Sequence, residues 1–132
     1  MALDTTYLFN FLSQKGYNPH FIDNEIIQFH IGDFPYLIDC EADYFRIMMV
    51  STNPIWPPKH LVNASSSIMD NRKLIKVFVM KHNDGDAWMV FSIEQLISGT
   101  SYFESIFDRC IRIIRGAWAD WAHYYNTHNM LL

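Results

Sequence analysis

The chain has 132 residues, half of them hydrophobic and 16% aromatic, enough for one domain (1–132) burying about two-thirds of the surface its unfolded chain exposes. Its net charge of −4 argues against nucleic-acid binding, which relies on clustered Lys and Arg. No run of about 18 apolar residues occurs, and the start MALDTTYLFNFL lacks a basic region and a small-residue cleavage site, so neither a membrane span nor a signal peptide is expected.

In chain order, Asp4 or Thr5 caps a first helix whose apolar stripe is Leu8, Phe11 and Leu12, and Gly16 stops it. YNPHF reads as an irregular connector, because the proline disfavours helix just before it. EIIQFHI then alternates with Ile27, Phe29 and Ile31 on one face. Gly32-Asp33 turns the chain, and FPYLIDC returns with Phe34, Tyr36, Ile38 and Cys40 aligned. After Glu41-Ala42-Asp43 comes YFRIMMVS, apolar on both faces. These strands form an antiparallel meander.

TNPIWPPKH breaks regular structure, and a second helix runs through LVNASSSIMDNR with Leu61, Ala64, Ser65, Ile68 and Met69 inward. The Ser65–Ser67 run reads as a place where this helix packs closely or meets water. LIKVFVM and AWMVFSI follow on either side of KHNDGD, whose Asp-Gly supplies the backbone of a hairpin turn. Read as a calcium loop with Gly85 sixth, the segment puts Met80 first and Phe91 twelfth, and neither is a ligand for a hard cation. Gly99 breaks the chain, Thr100 or Ser101 caps, and a long third helix runs from about Tyr102 past Tyr125. Its stripe is Phe103, Ile106, Phe107, Cys110, Ile113, Ile114, Ala117 and Trp121. The order α-β-β-β-α-β-β-α makes an α+β domain of two layers with one antiparallel sheet.

The segments FLSQKGYNP, DCEADYFRIMM and RKLIKVFVMKHNDGDAWMVFSIEQL, followed by a Phe-rich last helix, SYFESIFDRCIRII, resemble the YbjN-like proteins over nearly the whole chain. That resemblance implies the fold of type III secretion chaperones. One branch of the group is labelled a sensory-transduction regulator, and the fold cousins bind partner chains as homodimers. It carries over no catalytic residue. NPIWPPKHLVNASSS departs from the usual pattern in its three prolines and low acidity, so a partner surface there is expected to differ from the family's.

The residues themselves offer little chemistry. His20, His30, His60, His82, His123 and His128 are dispersed, without the spacing of a metal site. Asp39, Glu41 and Asp43 read as a solvated strand end lacking a partner for acid–base work. Cys40 and Cys110 fall in apolar patterns, as buried free thiols of a reducing cytoplasm. Arg109, Arg112 and Arg115 make a solvated or partner-facing stripe. No catalytic residue, metal or cofactor is expected.

Surplus apolar surface is the positive signal. Ile75, Val77 and Val79 can face the helices, and Phe78 and Met80 then point away; Trp88 and Val90 lie opposite Met89, Phe91 and Ile93. Either the helices wrap both sheet faces or another chain closes one, and both readings stay open. In the last helix Trp121 reads as core, while Trp118 and Tyr125 read as interface anchors. The sequence therefore leads to a cytoplasmic, non-enzymatic protein- or peptide-binding domain, a homodimer, with Phe78, Met80, Trp88, Trp118 and Tyr125 as its partner-binding residues. The alternative is a small-molecule sensor using the aromatic end of the last helix, and a weaker third reading is a hydrolase built on the carboxylates and histidines.

Overall fold

The computed structural model describes residues 3–52, 58–81 and 87–129. Its elements are α1 (Thr5–Gln14), β1 (His20–Phe21), β2 (Ile27–Ile31), β3 (Phe34–Glu41), β4 (Tyr44–Thr52), α2 (Pro58–Asn71), β5 (Lys76–Lys81), β6 (Ala87–Leu96) and α3 (Thr100–Asn129). Among the described residues the strands form one six-stranded sheet of order β1-β2-β3-β4-β6-β5. The expected α+β class is what the chain adopts. The connector YNPHF corrects the reading in one respect, since His20 and Phe21 pair with Gln28 and Ile27 as a short edge strand. Close packing divides the chain into two units, Met1–Met48 with Ile93–Cys110 and Met49–Ser92 with Ile111–Leu132.

In the first unit the cap of α1 is Asp4, whose carboxylate accepts from the Tyr7 N–H at 2.7 Å. At the other end Gly16 takes φ 76°. Gly16 N–H donates to the Ser13 carbonyl and Tyr17 N–H to that of Leu12, the two bonds of a Schellman close. The helix buries Leu8, Phe11 and Leu12. They meet an aromatic cluster built around Phe103, which lies edge-on to Phe11 at 5.3 Å and to Phe45 at 5.0 Å, with Phe107 at 5.6 Å. Such edge-to-face pairs add to plain burial because the positive ring edge meets the negative ring face.

The strands register so that one face is dry. Ile27 pairs with Ile38, Phe29 with Tyr36, and Ile38 with Ile47, and all five are fully buried. The opposite set, Leu37, Asp39, Tyr44, Arg46 and Met48, is half-buried. β4 is apolar on both faces in sequence, yet its burial alternates. Asp39 corrects the expectation of an unpartnered strand end. Arg46, directly across the pair, donates from Nε at 3.1 Å and Nη2 at 2.9 Å. Partial burial works against the Arg46 charge, but the Asp39 hydrogen bonds and carboxylate outweigh it and hold the guanidinium's pKa above its ordinary value.

In the second unit α2 buries Leu61, Ala64, Ser65 and Ile68, with the Ser65 hydroxyl donating to the Val62 carbonyl at 2.8 Å. Met69, expected inward, is 39% exposed. α3 contributes Ile114, Ala117 and Trp121 to the core, and the Trp121 indole N–H donates to the Ser51 hydroxyl at 3.1 Å. Along the whole helix, Ile111 is buried where the expected stripe had Ile113, which is half-buried along with Ile106. Arg72, just past α2, donates to the Asp120 carboxylate from Nε and from Nη2. The guanidinium lies so close to α3 that a Cβ at Gly116 would stand 2.5 Å from its Nη1, so glycine is what leaves room for the pair.

β5 and β6 pair antiparallel from Lys76↔Ser92 to Lys81↔Ala87, which bears out the hairpin; its turn, with Gly85 and His82, lies outside the described residues. β6 is buried on both faces from Met89 to Ile93. Ser92 is 1% exposed and its hydroxyl has no hydrogen-bond partner among the described residues. A buried hydroxyl without a partner costs desolvation and returns nothing, so Ser92→Ala is expected to raise unfolding free energy by up to about 1 kcal/mol. Urea denaturation checks this; a clear loss of stability would mean that the hydroxyl is in fact bonded.

Candidate functional site

The hairpin register decides which of the expected partner-binding side chains meet. Met80 pairs with Trp88 and Phe78 with Val90, so all four side chains emerge on one face of the hairpin. Val77, Met89 and Phe91 take the opposite face and are buried. Phe78 and Trp88 are half-buried and Met80 is 39% exposed. The Lys76 ammonium sits 5.3 Å from the Phe78 ring centroid, a cation–π contact at the margin of the patch. β5 is the last strand in the sheet order, so the patch lies at an edge.

Trp118 and Tyr125 are seven residues apart on α3, two turns along one face, and both are half-buried. The Tyr125 ring lies 5.6 Å from that of Trp121, centroid to centroid, tilted by 51°. Trp118 stands with Ile111, Arg112 and Arg115 along a shallow groove of about 480 Å³. Arg112 and Arg115 are exposed, as is Arg109, so the arginine stripe runs beside the tryptophan. An aromatic flanked by guanidinium groups can take an apolar side chain and a carboxylate of the same partner.

Sequence reasoning missed other exposed apolar residues. Leu74 is 61% exposed, Val62 50% and Leu96 77%. Leu74 also holds φ 69°, a conformation that a bulky side chain disfavours. Nothing in local periodicity marks it, since it falls in the link between α2 and β5.

Two of the dispersed histidines are brought together by the fold. His20 and His30, ten residues apart, stack with ring centroids 6.1 Å apart because β1 pairs with β2, and His20 Nε2 lies 2.7 Å from the Gln28 side-chain oxygen. His123 is exposed, and the side chains of His60, His82 and His128 lie outside the described residues. No group of three or more His, Cys, Asp or Glu side chains comes together among the described residues. Among them, too, no helix is long and apolar enough to cross a membrane.

Both cysteines are free. Cys110 is buried as expected, whereas Cys40 is half-buried because it lies near the end of β3. Burial pushes both thiols up to about 11, and for Cys40 the Asp4 and Asp39 carboxylates push the same way. A two-unit rise lowers the thiolate fraction roughly a hundredfold. Titration with a disulfide reagent at pH 8 should therefore be slow in the folded protein and fast for both sites in denaturant; a rapid folded-state phase at either site would contradict the assigned environment.

No protein-family model matches the chain, and no curated protein matches it in sequence. Among solved structures it is similar to YbjN from E. coli, proposed to be a transcription regulator, at TM-score 0.67 and 18% identity over 89% of this chain and 91% of that one. A second likeness is to an uncharacterized protein from Methanothermobacter thermautotrophicus, at TM-score 0.54 and 14% identity over 95% and 96% of the two chains. At these identities the likeness is one of fold: the chain has the architecture of YbjN.

Proposed function

We propose that the chain is a non-enzymatic protein-binding domain that holds a segment of a protein or peptide client. The observation that carries this reading is the patch of Phe78, Met80 and Trp88, set by register on one face of an edge hairpin and left partly in water. Apolar surface gathered at a sheet edge is costly for an isolated chain and becomes favourable once a partner covers it. Trp118 and Tyr125 offer a second contact on α3, where the exposed arginines favour an acidic or amphipathic segment. A client would bind as an added strand or as a helix laid on the apolar face. Homodimerisation belongs to the same reading, since a second copy is one way of covering such surface. Nucleic acid and membrane are outside it, given the acidic charge.

Affinity capture from the native cell, with mass spectrometry, is the test. The expected result is one reproducible protein client, with light scattering of the purified chain reporting twice the chain mass. Repeated capture of no protein, together with a persistent monomer, would overturn the proposal.

A further inference from the structure

In the second unit, α2 and the last turns of α3 enclose a cleft of about 300 Å³, at the small end of the range for ligand sites. Ile68, 4% exposed, forms part of its apolar lining. Tyr124 forms part of the wall and is braced by a stack on Trp121 with centroids 6.5 Å apart. The remaining lining is polar and comes from both helices: Ser67 and Asn71 from α2, Asp120, His123 and Thr127 from α3.

The charges and hydrogen bonds in this lining select a ligand class. Asp120 is neutralised by the two bonds from Arg72, and no other lining side chain carries a permanent charge to draw an ionic ligand. Asn71 spends one amide N–H on the Ser67 carbonyl at 2.9 Å, which leaves its side-chain oxygen as an acceptor. The Ser67 and Thr127 hydroxyls each donate and accept, and the Asp120 carboxylate keeps lone pairs beyond the two it gives to Arg72. The two helices thus each contribute groups that can donate and accept to the lining, beside an apolar part that includes an aromatic ring. A planar heteroaromatic group presents its hydrogen-bonding atoms along an edge and would use the groups of one helix. A ring carrying hydroxyls around its rim and C–H groups on its face would use those of both.

We infer that this cleft binds a small neutral polyhydroxylated ligand of monosaccharide size, a site separate from the apolar protein-binding surface. Gly116 is part of it at one remove. A methyl group there would come within 2.5 Å of Arg72 Nη1 and 2.8 Å of Cζ, displacing the guanidinium that neutralises Asp120.

The test is amide chemical-shift titration of the labelled full chain with D-glucose, D-galactose, D-ribose and myo-inositol. Glucosamine and glucose 6-phosphate serve as the cationic and anionic counterparts. At least one neutral probe should give saturable shifts at the amides of Ser67, Asn71, His123 and Thr127. Ser67→Ala and Thr127→Ala, both at exposed positions, should each weaken that binding about fivefold, the effect of one lost hydrogen bond. Arg72→Gln leaves the Asp120 charge uncompensated and should reverse the preference toward glucosamine. The inference is overturned if no neutral probe gives saturable shifts at these amides, if a charged counterpart binds the unmodified chain more tightly, or if both alanine variants bind unchanged.

Discussion

Phe103→Ala is expected to lower unfolding free energy by about 3–5 kcal/mol, the largest effect of any single substitution proposed for this chain. The ring is fully buried and touches Phe11, Phe45 and Phe107. Truncation removes its transfer free energy and leaves a cavity that three rigid rings cannot collapse to fill. It also removes three edge-to-face contacts, to Tyr7, Phe11 and Phe45, each adding about 0.5–1.5 kcal/mol beyond area. Urea denaturation followed by fluorescence measures the change. Should the variant fail to fold, Phe103→Leu keeps most of the volume and is expected to cost about 1–2 kcal/mol. A cost below about 1 kcal/mol for the alanine variant would mean that Phe103 is not the centre of this core.

The second large effect is on binding. Met80→Asp should weaken the affinity for a captured client by about 2 kcal/mol, roughly thirtyfold, if the hairpin patch anchors it. Met80 is 39% exposed and paired with Trp88, so the same change should also cost folding about 1 kcal/mol in packing and strand propensity, and its stability is measured alongside. Trp88→Ala should cost at least as much affinity, but it also removes a half-buried ring from a paired strand, so its stability must be measured alongside. Trp118→Ala tests the α3 surface separately. Loss of affinity in Trp118→Ala with Met80→Asp unchanged would move the site to the helix. Unchanged affinity in all three would remove both surfaces.

The architecture was legible where periodicity was long. α1 announced itself through Asp4, the Leu8-Phe11-Leu12 stripe and Gly16, and each of those residues does in the fold what its chemistry suggests. β2, β3 and the β5–β6 hairpin followed from alternation and turn residues. β1 escaped because two residues carry no alternation, and it exists by pairing with β2. β4 looked two-sided because Met48 and Val50 are apolar, yet both are only half-buried while Met49 between them is buried. The long-range polar pairs were beyond reach for a different reason. Asp39 and Arg46 meet through strand register, and Arg72 and Asp120 meet across 48 residues. Of the expected binding residues, Phe78 and Met80 could be placed on one face from alternation alone, and the hairpin register was needed to set Trp88 beside them. The cleft could not, since neither Asn71 nor Asp120 stands out among the chain's many polar residues.

Leu74 has a consequence for how this protein would respond to selection. Its backbone sits at φ 69° and its side chain is 61% in water, so folding gains little from leucine there. Glycine or asparagine would relieve a conformational cost of about 1–2 kcal/mol. A library at this position, sorted for resistance to proteolysis, should therefore drift away from leucine. The same library sorted for growth in the native cell should hold leucine in place if a partner uses the side chain. A difference between the two outcomes would reveal a binding role at position 74 even while the partner itself is unidentified.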